Sequence, residues 1–344
     1  MSRDALCSRL SQLLDTYANE TGELLGARPR GVCQEFQGKP TALEFLRLVS
    51  TNTPAVFRGA GLEWPAMDRW KEDGYLIDQL KDQPLSITVT PDGRADAIIQ
   101  DRYFALPATQ IMSMTHFSKA LAEQGERKDG PVLYLQSQNG NMSGEYEALA
   151  DDVPQEMDFC SEALGGQQVD ARNFWMGNHR SVTSLHKDPY ENVYGVVCGH
   201  KVFTLYPPSD YWCLHEKSYP VAEYRDTETW ELSPCKDKEG KPIYVPWIPV
   251  DPDAPLETQA GKYPRFQHAN PIRVTLAPGD LLYLPALWYH HVRQLGPRVL
   301  AVNWWYDMQY GANYTTGQLI QGIVHMLDEG KEEKEEEEKE MSLP

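Results

Sequence analysis

The chain has 344 residues, of which 41% are hydrophobic and 10% aromatic, and this composition argues against a disordered protein. Its formal net charge of −18 argues against a direct nucleic acid partner, because an acidic surface repels phosphates. No apolar run reaches the ~18 residues of a membrane span, and the chain begins without a signal segment. We therefore expect no membrane association and a cytoplasmic, or also nuclear, location rather than secretion.

The first third of the chain is predicted to mix helices and strands. Apolar residues from Leu6 to Tyr17 recur at helical spacing, which predicts an amphipathic helix within an N-terminal extension over residues 1–40. This helix is expected to pack on the body of the protein or on a partner. A short helix is predicted over residues 41–50, and strands over residues 54–58, 86–90 and 132–136.

From residue 173 onward the chain is rich in short strands, which is typical of a sandwich or a barrel. The strands are predicted over residues 173–177, 183–186, 192–197, 201–206, 272–276, 281–284, 289–293 and 299–305. Two glycine-containing segments, Gly199-His200 and Pro278-Gly279-Asp280, are typical of turns, so a hairpin is expected at each.

Three segments lie outside these strands. Residues 207–261 are polar and contain several prolines, which predicts an insertion of the kind that shapes substrate clefts. Residues 311–329 are predicted to form a C-terminal helix. The Glu-rich residues 330–344 cannot bury apolar surface, so an acidic disordered tail is expected there.

A His-x-Asp motif, His186-Lys187-Asp188, indicates a metal site. On a strand, residues i and i+2 point to the same face, so His186 and Asp188 would converge. A further histidine would complete the three-ligand set of non-haem Fe(II) oxygenases, which leaves three positions on the metal open. His290 and His291 are the candidates, and their spacing alone cannot choose between them. The alternative is that these imidazoles are ordinary packed or hydrogen-bonded side chains.

The order of these motifs resembles that of the Jumonji-C dioxygenases of the cupin superfamily, over roughly residues 40 to 310. The resemblance includes Lys201, the Pro278-Gly279-Asp280 turn and the Trp288-Tyr289-His290-His291 segment. It implies a mainly β fold with flanking helices, in which a double-stranded β-helix, or cupin jelly roll, forms a catalytic domain over residues 41–310. It also implies that His186, Asp188 and His290 bind Fe(II), with His291 facing outward.

The resemblance further implies that 2-oxoglutarate and O2 are cosubstrates. Lys201 would bind the distal carboxylate of 2-oxoglutarate, with hydroxyl donors from Thr183 and Tyr134. Asn192 and Asn303 would contact its iron-bound end. A buried dicarboxylate needs such a cation, because an uncompensated charge out of water is costly.

Within the family the chain is most similar to lysyl hydroxylases. The similarity implies C3 hydroxylation of a lysine in a basic protein substrate, with developmentally regulated GTP-binding proteins as the target class, and a homodimer. Alternatives on the same iron are N-methyl-lysine demethylation and cleavage of basic tails by an endopeptidase. A non-catalytic cupin binding module is the alternative of another class.

Overall fold

The computed structural model describes residues 3–26, 31–137 and 140–341, with side chains described between residues 5 and 328 of these ranges. Its α-helices, numbered α1 to α8 in chain order, are Arg3–Leu24, Ala42–Thr51, Ala66–Arg69, Asp73–Leu80, Met114–Gly125, Asp158–Ala163, Leu256–Gln259 and Ala312–Met341. Its 3-10 helices are Asn141–Ser143, Glu147–Asp152, Pro208–Cys213 and Pro264–His268.

The β-strands, numbered β1 to β17 in chain order, are Gln34–Gln37, Ala55–Arg58, Leu85–Thr90, Arg94–Ala95, Ala97–Ile99, Tyr103–Leu106, Ala108–Met112, Val132–Tyr134, Ala171–Gly177, Val182–Lys187, Tyr190–Tyr206, Lys217–Tyr224, Leu232–Pro234, Tyr244–Trp247, Ile272–Leu276, Leu281–Leu284 and Tyr289–Asp307. The mainly β architecture with flanking helices that the sequence predicts is confirmed.

The largest sheet is built around the two longest strands. β11 and β17 pair antiparallel, and the path β1-β2-β16-β11-β17-β10-β4 continues the sheet on both sides. β15 also pairs with β11, and β9 with β17, which gives nine strands in this sheet. Because successive residues on a strand face opposite sides, β17 turns Ala301 toward the aromatic interior of the barrel and Val302 toward the helices outside it.

The predicted hairpin at Gly199-His200 was wrong. β11 continues through these two residues as one strand of 17 residues. β17 likewise joins the two strands predicted over residues 289–293 and 299–305. The register between the two strands shifts on both sides of Cys198, which is typical of β-bulges. Gly199 has φ +68°, and Gly296 on the partner strand has φ +118°. These glycines bend the two paired strands without interrupting their ladder. β11 can therefore pair with β17 along its length, and with β16 and β15 on its other edge.

The hairpin predicted at Pro278-Gly279-Asp280 was also wrong. β15 and β16, which flank it, pair with successive stretches of β11 rather than with each other. Gly279 has φ +87°, and the Asp280 carboxylate accepts hydrogen bonds from the backbone N–H groups of Gly59 (3.0 Å) and Ala277 (3.0 Å). The segment is therefore a short connection, fixed by the Asp280 carboxylate, between two strands that both pair with β11.

Replacing Gly199 with alanine should destabilise the protein more than a positive φ alone explains. An alanine Cβ there would lie 2.6 Å from the Arg298 carbonyl oxygen, within the β11–β17 ladder. Gly240 is the matched control, because it has φ +80° and an alanine Cβ there would meet no heavy atom within 4 Å. We expect a loss of about 3 kcal/mol in the free energy of unfolding for Gly199→Ala and about 1 kcal/mol for Gly240→Ala, measured by denaturant titration. Equal losses would contradict the role of the bulge.

The terminal helices pack against the body of the protein. Leu14 and Ala18 of α1 and Ile320, Val324 and Leu327 of α8 are buried in one cluster with aromatic side chains of the 207–271 region. The sequence predicts that the last helix ends at residue 329 and that residues 330–344 form a disordered tail. The helix continues to Met341, whereas the side chains from residue 329 onward lie outside the described residues.

Candidate metal centre

The sheet brings the His-x-Asp motif and the second histidine pair together. His186 on β10 lies directly opposite His290 on β17 in the antiparallel ladder. Asp188 follows the last residue of β10, and its carbonyl oxygen accepts a hydrogen bond of 2.9 Å from the backbone N–H of Leu287. Ligand atoms of His186, Asp188 and His290 all lie within 4.8 Å of one another. The spacing suits one metal ion shared by three side chains.

Backbone carbonyls orient both imidazoles. Nδ1 of His186 lies 2.8 Å from the carbonyl oxygen of Ser184, and Nδ1 of His290 lies 3.0 Å from that of Trp288. A carbonyl can only accept, so each Nδ1 carries the proton and each Nε2 keeps its lone pair. The Nε2 atoms lie 3.7 Å and 3.6 Å from Oδ2 of Asp188. All three ligand atoms are thus available on the inner side of the group.

The pKa values of His290 and Asp188 favour metal-binding protonation states, whereas that of His186 is raised, because the lowering effect of burial is outweighed by its interactions with Asp188. Burial, together with the neighbouring His186, lowers the pKa of His290 to about 4. Burial alone would raise the pKa of Asp188, but its interactions with His186 and His290 outweigh that effect and lower it. At neutral pH His290 is therefore a neutral imidazole and Asp188 a carboxylate, which are the forms that bind metal.

A second acid–histidine group contains His291 but differs in its electrostatics. Ligand atoms of Asp251, Asp253 and His291 also lie within 4.8 Å of one another. Here each carboxylate already has a cationic partner, since Arg94 lies 2.6 Å from Asp251 and Arg293 lies 3.3 Å from Asp253. A cation would have to compete with both guanidinium groups. This group is better described as an ion-pair cluster on the other face of β17.

A buried lysine lies in a cavity beside the first group. The Lys201 side chain is 1% exposed, and its Nζ donates a 3.1 Å hydrogen bond to the hydroxyl of Tyr134. The rings of Tyr134, Trp175 and Tyr194 surround the ammonium at 5.2 to 5.6 Å. Burial lowers the pKa of Lys201 to about 7. Within the described residues, Lys201 has no carboxylate at ion-pair distance, so an anionic ligand would complete the site.

The remaining predicted cosubstrate residues line the same cavity. Thr183, Asn192 and Asn303 are part of its wall, together with the three members of the metal group. Nδ2 of Asn303 donates to Oδ1 of Asn192 at 3.2 Å, and Oδ1 of Asn303 accepts from Nε1 of Trp175 at 2.8 Å. This network joins β9, β11 and β17 along one wall of the cavity.

Sequence reasoning did not identify Trp175 and Tyr194 as part of this site. The available signal was strand alternation, since Tyr194 lies two residues after Asn192 on β11 and faces the same side. Trp175 lies opposite Ala301 in the β9–β17 ladder, on the face that Asn303 also lines. Both rings contribute the cation–π surroundings that a buried ammonium favours.

A second cavity opens on the other side of the metal group. Thr183, His186 and Asp188 line both cavities, so these side chains form the wall between the two. Trp247, from the region predicted to be an insertion, stacks on the His186 ring at 6.0 Å with an interplanar angle of 6°. Asp96 also lines this second cavity.

A barrel that carries a His-Asp-His group between two cavities defines the class of cupin metalloproteins. Comparison with known proteins agrees, since residues 40–312 match the family model of the cupin-like domain. The chain belongs to the cupin-like JmjC-domain family. The predicted family and its cupin jelly-roll core are confirmed.

Relatives with high identity support the same assignment. The chain is 38% identical to JmjC domain-containing protein E of Dictyostelium discoideum, with 84% of this chain and 91% of that protein covered. It is 40% identical to the bifunctional peptidase and (3S)-lysyl hydroxylase JMJD7 of Homo sapiens (83% and 87% covered), and 36% identical to the lysine-specific demethylase JMJ32 of Arabidopsis thaliana (84% and 86% covered). The chain is an enzyme of the 2-oxoglutarate-dependent dioxygenase class, as the sequence predicts.

Proposed function

We propose that the chain is an Fe(II)- and 2-oxoglutarate-dependent hydroxylase that acts on C3 of lysine residues in proteins. The observation that carries the dioxygenase part is the buried Lys201 ammonium, which shares a cavity with the His186, Asp188 and His290 group and lacks an anionic partner among the described residues. A metal group and a fixed cation in one cavity are complementary to a small dicarboxylate that binds the metal at its other end.

Separate sets of residues would bind the metal and the two ends of the cosubstrate. His186, Asp188 and His290 would hold Fe(II), while Lys201 and the hydroxyls of Tyr134 and Thr183 would hold the distal carboxylate of 2-oxoglutarate. Asn192 and Asn303 would contact its metal-bound end. When bound, the metal and cosubstrate supply oxidative decarboxylation, which consumes O2 and yields succinate, CO2 and one hydroxyl group on the substrate. The protein supplies orientation and excludes water.

Support for a lysine substrate comes from similarity and charge. The relative at 40% identity is named a (3S)-lysyl hydroxylase, and the net charge of −18 is complementary to a basic segment. We propose a lysine-rich segment of a developmentally regulated GTP-binding protein as the target.

A homodimer and a cytoplasmic, or also nuclear, location stay predictions. Within the part of the chain that the structure describes, every helix is too short or too polar to cross a bilayer.

The affinity for 2-oxoglutarate should fall as the pH rises above about 7. Burial holds the pKa of free Lys201 at about 7, and a bound carboxylate favours the charged form and so raises that pKa. Between the two values, binding takes up a proton, so we expect the affinity to fall up to tenfold per pH unit. Calorimetry with Mn(II)-loaded protein measures this slope. Lys201→Arg is the control, because arginine stays charged and should remove the Lys201 contribution. An equal slope in Lys201→Arg would show that the titration of Lys201 does not cause the pH dependence.

One experiment separates the candidate activities. A lysine-rich segment of a GTP-binding protein, in unmodified and N-methylated forms, is incubated with the enzyme, Fe(II), 2-oxoglutarate and O2 and analysed by mass spectrometry. We expect a gain of one oxygen on the unmodified lysine, dependent on 2-oxoglutarate. Loss of a methyl group as formaldehyde would favour a demethylase, as the name of the Arabidopsis relative suggests for that protein. A cut segment without 2-oxoglutarate would favour a peptidase, and binding without change a non-catalytic cupin.

A further inference from the structure

The second cavity contains a carboxylate that the metal chemistry does not use. Asp96 lines this cavity with His186 and Asp188, but it lies outside the group of side chains whose ligand atoms are within 4.8 Å of one another. Among the described residues Asp96 has no hydrogen-bond donor and no salt-bridge partner, and its electrostatic interaction is with the imidazole of His186, a member of the metal group. A half-buried carboxylate without a partner carries an uncompensated desolvation cost, which a cationic ligand would offset.

The other charges at this cavity do not fill that role. Lys187 also lines it, but its Nζ donates to the Tyr289 hydroxyl at 3.0 Å and lies 3.7 Å from the Glu216 carboxylate. That lysine is therefore already engaged beside the cavity. Asp188 belongs to the metal group. Among the described residues that line this cavity, Asp96 is thus the carboxylate outside the metal group that has no salt bridge.

The fold holds Asp96 in place through short β segments. Asp96 follows β4, which pairs in parallel with the metal-binding strand β10 so that Ala95 lies opposite Thr183. The Ser184 hydroxyl donates to the Ala95 carbonyl oxygen at 3.2 Å. Asp96 itself has φ +52°, a left-handed conformation that aspartate and asparagine tolerate better than most residues. The backbone conformation at this position is thus one that suits an aspartate.

Aromatic rings form another part of the cavity wall. Trp247 stacks on His186, and the Phe104 ring lies 4.6 Å from Trp247 at an angle of 55°. Both rings line the cavity with Asp96. Ring faces attract cations and also pack against methylene groups. A long aliphatic side chain with a terminal cation matches this combination of surfaces.

We infer that Asp96 binds the ε-ammonium group of the substrate lysine, and that Trp247 and Phe104 contact its methylene chain. This inference rests on the proposed lysyl hydroxylase function. The metal group then lies between two oppositely charged sites, with the Lys201 ammonium for the dicarboxylate on one side and the Asp96 carboxylate for the substrate cation on the other.

The test compares two peptides with two carboxylate variants. One peptide carries the target lysine, and the other carries norleucine, which has the same apolar chain without the charge. Asp96→Asn keeps the size and the tolerance for positive φ while it removes the charge. Asp92→Asn is the matched control, because Asp92 is an exposed aspartate of the same segment. Dissociation constants are measured by calorimetry on enzyme loaded with Mn(II) and 2-oxoglutarate, and lysine oxidation is followed by mass spectrometry.

We expect Asp96→Asn to weaken binding of the lysine peptide about 30-fold, in line with the loss of one partner of a partly buried charge pair. Binding of the norleucine peptide should change less than about threefold, so the preference for lysine is lost. This second peptide also reports whether the variant still folds. Asp92→Asn should retain the wild-type preference.

Two different failures can be told apart. If the wild-type enzyme oxidises the lysine peptide and Asp96→Asn keeps the full preference for lysine over norleucine, the role of Asp96 is overturned and the hydroxylase function stands. If the wild-type enzyme leaves the lysine peptide unmodified, the proposed function is overturned together with the role of Asp96. A variant that weakens both peptides equally would also overturn that role, since this result indicates a structural one.

Discussion

Replacing Lys201 with methionine should raise the KM for 2-oxoglutarate at least about 100-fold without lowering thermal stability. The Lys201 ammonium is enclosed by three aromatic rings, and Tyr134 provides its hydrogen bond. Methionine has a similar length and fits such surroundings, so the shape of the cavity is retained. The variant loses the charge-assisted contact to the distal carboxylate, and a bound dicarboxylate would then be left with an uncompensated buried charge.

The stability readout distinguishes a binding role from a structural one. Burial lowers the pKa of Lys201 to about 7, which means that the folded protein bears a desolvation cost for this group. Removing the ammonium should therefore leave the melting temperature unchanged or raise it. A structural lysine would give the opposite result, because its loss would orphan its partners.

Lys187→Met is the matched control for this prediction. Lys187 is a second lysine beside the metal group, and it lines the second cavity rather than the cavity that holds Lys201. We expect its KM for 2-oxoglutarate to stay within about threefold of the wild-type value, because its ammonium pairs with Glu216 and Tyr289 instead. Steady-state succinate formation measures both variants. Equal KM changes would argue against Lys201 as the carboxylate-binding residue.

The sequence could predict those parts of the site whose residues lie close together along the chain. The His186-Lys187-Asp188 motif needs only a strand to bring its two ligands to one face, and Lys201 follows on the next strand. The structure places these residues together with His290, although the spacing of His290 and His291 could not decide which faces inward. The pairing of β17 with β10 decides it, because His290 lies opposite His186 and lines the cavity of the metal group together with Val292.

The sequence could not predict the bends of the barrel for a physical reason. A glycine with positive φ forms either a hairpin turn or a bulge, and the local signal is the same for both. The choice at Gly199 is made by the partner strand, which bends at Gly296 about a hundred residues later. Likewise, Asp96 and Trp247 reach the second cavity through pairings that join distant segments, namely β4 with β10 and β12 with β14.

The histidine pair allows a test in which two neighbouring buried imidazoles should behave differently. His290→Ala should lower the affinity for Fe(II) at least about 100-fold and abolish succinate formation, because Nε2 of His290 is one of three ligand atoms in the group. His186→Ala should do the same and leave the fold intact, since strand pairing rather than the imidazole holds β10 against β17.

His291→Ala should leave Fe(II) affinity and turnover within about threefold of the wild-type values. Its imidazole is as buried as that of His290, at 3% against 5% exposed, so the two substitutions create cavities of similar size. What differs is their surroundings, because His291 faces Asp253 and Arg293 on the other side of the strand. Metal-dependent thermal shifts and succinate assays on both variants provide the comparison. Loss of metal binding in His291→Ala with normal binding in His290→Ala would reverse the ligand assignment, and equal effects would indicate that strand disruption, not ligation, causes the loss.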